Sequence, residues 1–139
     1  MKRVARRRLV IMTWDPCIYG QFWLLTEYFP GAGEVDRSRA LPLTELCQLL
    51  DQPEILTVPV PHDCADGFGG AYWRRPDAYL DRTVREGMSM FARTGEDELT
   101  EGVARLCDDI DSERWHERHR DLLAIDSLDL GYRLVISDL

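Results

Sequence analysis

Only three short apolar runs in the chain are fit to become β-strands, and they lie near its start, near its middle and at its end. The first, Leu9-Val10-Ile11-Met12-Thr13-Trp14, is partly β-branched and is stopped by Asp15-Pro16, which predicts a largely buried strand. The second is Ile55-Leu56-Thr57-Val58-Pro59-Val60, and the third is Leu130 to Ile136. Pro59 has no N–H to give a ladder, so that end of the second strand belongs at a sheet edge. Helical periods fill the intervals. The fold class expected is therefore α/β, leaning to α+β: a small three-stranded sheet covered by helices. At 139 residues and 45% hydrophobic content the chain suffices for one domain, 1–139, with one modest core.

Between the first two runs, Phe22, Trp23, Leu25 and Phe29 recur at helical spacing, which predicts an aromatic-faced helix over 18–29 ending at Pro30-Gly31. A polar loop with Gly31 and Gly33 is expected next, then a helix begun by Pro42 and carrying Leu43, Leu46, Leu49 and Leu50. After the second run, HDCADGFGG reads as irregular, and residues 71–91 read as short helical pieces forming a lid. Leu99, Val103, Leu106, Cys107 and Ile110 predict one helix, and Ser112 is placed to cap another through Trp115, Leu122 and Leu123.

The formal charge is −8, although Lys2, Arg3, Arg6, Arg7 and Arg8 cluster at the start, where a solvated lead-in is expected. So acidic a body repels phosphate backbones, and no nucleic-acid-binding motif is present, which argues against a nucleic-acid partner. No apolar run approaches a membrane span or a secretory core, so a soluble, cytoplasmic protein without a membrane partner is expected. Cys17, Cys47, Cys64 and Cys107 lack zinc or redox spacing and read as reduced thiols. All basic residues but Lys2 are arginine, a skew typical of a GC-rich bacterial genome.

The segments RLVIMTWDP, VPHDCADGFGGAYWRRPDAYLD and LDLGYRLVISD resemble the last portion of class I S-adenosylmethionine-dependent methyltransferases. The resemblance covers essentially the whole chain and implies that the three strands match the family's fifth, sixth and antiparallel seventh. It also implies a mixed sheet in the order first-third-second, with the C-terminal strand in the middle. The family's first four strands, with the glycine-rich loop and the acidic residue that hold the cofactor, have no counterpart. GFGG at 67–70 follows the wrong strand to be that loop. No cofactor is therefore expected. The chain is also similar to small standalone methyltransferase-like pericyclases of bacterial macrolide antibiotic pathways, which implies a cyclase performing [6+4] or [4+2] cycloaddition, as in a Diels–Alder reaction, on a polyene polyketide. The alternative implied is a non-catalytic subunit or relic completing the substrate half of a split methyltransferase.

Ligands of such sheets bind beyond the carboxyl ends of parallel strands. That edge gathers Trp14, His62, Asp63 and Tyr132, with Tyr19, Phe22 and Trp23 from the first helix. Phe68, Tyr72, Trp73, Met88 and Met90 are expected to close it into an apolar pocket for a hydrophobic substrate. Trp14, Tyr19, His62 and Asp63 are the catalytic candidates, as hydrogen-bond donors or an acid/base pair. At helical spacing such apolar residues are more often core than ligand wall. His116 and His119 share a helix face without a third ligand, so no metal is expected. A first strand lacking its family neighbour leaves an edge that a homodimer would cover.

Overall fold

The computed structural model describes residues 6–138, so Lys2 and Arg3 of the expected lead-in lie outside the described residues. Arg8 already belongs to β1 (Arg8–Trp14), where its guanidinium pairs with Asp138 at 2.7 Å. Asp15 ends the strand by accepting the Cys17 N–H, and Pro16 supplies the first turn of α1 (Pro16–Tyr19). The expected aromatic helix over 18–29 is broken. After α1 the chain turns and then forms a single π-helical turn, Leu24–Tyr28, which buries Leu24, Leu25 and Tyr28 together.

The segment expected as a polar loop is helix α2 (Pro30–Arg39), started by Pro30 at its first position. Its Gly31 N–H donates to the Glu98 carboxylate at 2.7 Å, so a distant helix stabilises a start that local propensity does not. Helix α3 (Leu43–Gln48) follows Pro42, and β2 (Glu54–Thr57) and β3 (Val60–Pro61) split the second apolar run at Val58-Pro59. Next come a 3₁₀ turn (Pro76–Leu80), α4 (Arg82–Glu86), α5 (Glu96–Asp111), α6 (Arg114–Arg118), β4 (Ser127–Leu128) and β5 (Tyr132–Asp138). Ser112 closes α5 by donating to the Asp108 carbonyl, instead of opening the next helix as expected.

The main sheet runs β1-β5-β2, and both ladders are antiparallel. β1 and β2 are mutually parallel with β5 antiparallel between them, the arrangement expected for the three runs, so no parallel ladder forms. Leu9 and Ile11 on one face pack with Val135 against Leu46 of α3 and Leu50 just after it. On the other face Val10 and Met12 each remain 55% exposed, and Leu56 of β2 is exposed beside them. A second ladder pairs β3 with β4.

The larger core is aromatic. The Trp23 indole N–H donates to the Trp73 carbonyl at 2.9 Å and the Trp73 indole to the Val60 carbonyl at 3.0 Å. Trp115 meets Trp23 edge to face at 5.1 Å. Residues 71–91, expected as a lid, contribute Trp73, Tyr79 and Met88 to this core, all fully buried. No described helix is long and apolar enough to cross a membrane.

Candidate functional site

Because β5 runs opposite to β1, its first residue, Tyr132, lies directly beside the last residue of β1, Trp14. Gly131 makes the junction possible: its φ of +89° is strained for any side chain, and its carbonyl accepts the Asp15 N–H at 2.7 Å. A cleft of about 160 Å³ opens at this edge, lined by Trp14, Tyr19, Asp36, Phe68, Gly69, Ser89, Met90 and Tyr132.

Its walls hold each other in place. Tyr132 meets Tyr19 at 5.8 Å and Phe68 at 5.1 Å between ring centroids, both edge to face, and the Tyr19 hydroxyl lies 3.7 Å from the Met90 sulfur. Gly69 is required by close approach, since a Cβ there would sit 2.5 Å from the Tyr19 hydroxyl. The polar groups are mostly donors. Burial pushes the Tyr19 hydroxyl well above its usual range and Tyr132 up to about 12, so both stay protonated. The buried Trp14 indole N–H has no acceptor among the described residues.

Asp36 is the exception. It is a half-buried carboxylate on α2, with no side-chain hydrogen bond or ion pair among the described residues. Partial burial raises its carboxyl above the ordinary value, while Arg93 and Arg39 oppose the rise. Sequence reading missed it because its segment, with two glycines and no apolar period, resembles a loop.

Of the residues expected at the site, Trp14, Tyr19, Phe68, Met90 and Tyr132 meet in the cleft. Trp73 and Met88 are core residues, and Phe22 and Trp23, nearly as buried, border a separate groove beside His119 and Leu130. Tyr72 packs on Tyr79 with the Arg75 guanidinium 4.7 Å above its ring. His62 and Asp63 also lie outside the cleft: the His62 N–H donates to the Asp126 carbonyl, and no hydrogen bond joins the two side chains. Their placement gives no support to an acid/base pair at this edge. His119 faces Glu27 at 3.0 Å, and no group of metal-binding side chains occurs among the described residues. A larger groove of about 740 Å³ between α4 and α5, lined by Arg82, Arg85, Phe91, Leu99 and Val103 among others, shares no residue with the sheet edge.

No family model matches the chain, and no curated protein matches it significantly. A solved structure does. A protein of Anabaena variabilis described as a "putative methyltransferase from antibiotic biosynthesis pathway" superposes with a TM-score of 0.86 at 34% identity over 95% of this chain. The fold is methyltransferase-like. The chain spans 55% of that neighbour's length. β1 leads through Asp15-Pro16 directly into α1, with no glycine loop at that junction. At Gly69 and Gly70 an added Cβ would meet Tyr19, Met90 and Leu130, so this chain's own side chains fill that space.

Proposed function

We propose that these residues form the substrate-binding half of a methyltransferase-like biosynthetic protein, in a pathway of the antibiotic type. The observation that carries this reading is the β1 edge. Its seven residues pair only with β5 among the described residues, and Val10 and Met12 beside that edge are bare. Proteins seldom leave such a strand unpaired. In this reading the methyl donor is held by residues outside these 139, on a unit that extends the sheet at β1. The cleft at Trp14 and Tyr132 takes the acceptor, excluding water with its aromatic walls and orienting it through its hydroxyls. Complementation tests this: the chain is co-produced with the part of the Anabaena protein outside the matched region. The mixture is expected to bind adenosylmethionine where the chain alone does not. Binding by the chain alone, or none by an assembled mixture, overturns the reading.

A second reading, the cofactor-independent cyclase, is favoured by the donor-rich cleft. Intramolecular cycloaddition needs no proton or hydride transfer, and holding a polyene in a reactive fold supplies up to ~7–11 kcal/mol. A tyrosine hydroxyl would polarise a conjugated carbonyl. The cleft lies below the ~300 Å³ at which ligand pockets usually begin, so it would grip one end of such a substrate. The purified chain, incubated with a carbonyl-bearing linear polyene, is expected to accelerate ring formation. No acceleration by the folded protein excludes it.

A further inference from the structure

We infer that Asp36 makes the cleft selective for a hydroxylated aromatic or enolic ring, accepting a hydrogen bond from the ring's O–H while Tyr19, Phe68 and Tyr132 enclose its faces and edges. This deepens the reading of the cleft as a substrate site and rests on it. The size is the first ground. A cavity of about 150 Å³ holds one benzene ring, and this cleft measures about 160 Å³. Its walls are the second, since four aromatic side chains and the Met90 thioether favour a flat apolar ligand.

The third ground is the carboxylate. Every other polar side chain in the lining, Trp14, Tyr19, Ser89 and Tyr132, has a hydrogen to donate, whereas Asp36 when ionised can only accept. Among the described residues no donor occupies it and no cation lies within ion-pair distance, although Arg93 and Arg39 act on its charge from farther away. It is close enough to Tyr19 and Tyr132 for its charge to oppose their ionisation. A carboxylate partly removed from water and without a partner gains most from a ligand that brings a donor. Toluene and phenol have the same shape, so the preference between them isolates this one contact.

Titration of the full chain with phenol and with toluene, followed by protein NMR shifts, tests the inference. Phenol is expected to bind at least about tenfold tighter than toluene, as suits one hydrogen bond to a charged group. Asp36→Ala should lose or reverse that preference while circular dichroism stays unchanged, because the side chain makes no hydrogen bond or ion pair among the described residues. Asp36→Asn, which keeps a carbonyl acceptor, should retain part of it. Equal binding of the two probes, or a preference that survives Asp36→Ala, overturns the role of Asp36 and leaves the apolar site standing. Binding of neither probe overturns the site and the inference together.

Discussion

Asp109 is the charged residue on which most of the acid sensitivity of this protein should rest. It is 15% exposed and receives hydrogen bonds from Tyr28, Arg114 and Arg118, tying α5 to α6 and to the π-helical turn. Burial alone would raise its carboxyl; the bonds from Arg118, Tyr28 and Arg114 outweigh burial and hold it well below the usual range. A group depressed in the folded state stabilises at pH above its unfolded value, about 4, and that contribution is lost as pH falls towards the folded value. Asp109→Asn should therefore cost about 1–3 kcal/mol at pH 7 and flatten the fall of Tm between about pH 4 and pH 2. Asp129, held down by Arg133, should leave a smaller slope. An unchanged acid profile in Asp109→Asn would remove the assignment. At the cleft, Gly69→Ala should cost about 1–3 kcal/mol by pushing Tyr19 or Met90 aside, and should weaken ligand binding there more than stability alone explains; calorimetry with paired titrations reads both.

Among the elements, the segment 71–91 decides whether the cleft has a moving cover. Trp73 and Tyr79 are fully buried, and Trp73 lies between Trp23 and Val60 in a chain of indole hydrogen bonds. Its amides should exchange as slowly as those of α5, and Trp73→Ala should cost about 3–5 kcal/mol in denaturant melts. Rapid exchange across 71–91 would restore the lid. The sequence could not separate the two because aromatics among turn residues suit a cover and a core equally. The positions of the strand runs and α5 were legible, since their apolar patterns are local, but β1, expected to be largely buried, has no fully buried residue because one of its faces is uncovered. Helix α2 was not, as its start depends on Glu98, far along the chain. A continuous apolar period likewise hides the break after Tyr19, because period reports which residues are buried and not whether the axis is continuous. Legibility of the site follows the same division. Trp14 and Tyr132 could be placed from strand ends, whereas Asp36 depended on finding α2, and His62 and Asp63 were drawn in only by proximity to a strand whose end turns away at Val58-Pro59.

For the whole molecule, the β1 edge and the apolar strip of Val10, Met12 and Leu56 on the same side of the sheet form the surface that a partner would cover. When no companion is present, a second copy is the available partner. Antiparallel pairing of two β1 strands about Ile11 would set Val10 of one copy opposite Met12 of the other, joining two strips into one patch and making the sheet six-stranded. Packing the two strips face to face is the other closed arrangement. Either should yield a homodimer at micromolar concentration in sedimentation equilibrium. Val10→Lys with Met12→Lys would bring like charges together in both arrangements and should give a folded monomer, since both side chains are more than half exposed in the single chain. Addition of the complementing part of the Anabaena protein should also dissolve the dimer if that part pairs with β1. A wild-type chain that sediments as a monomer would mean that neither the edge nor the strip joins two copies of this chain.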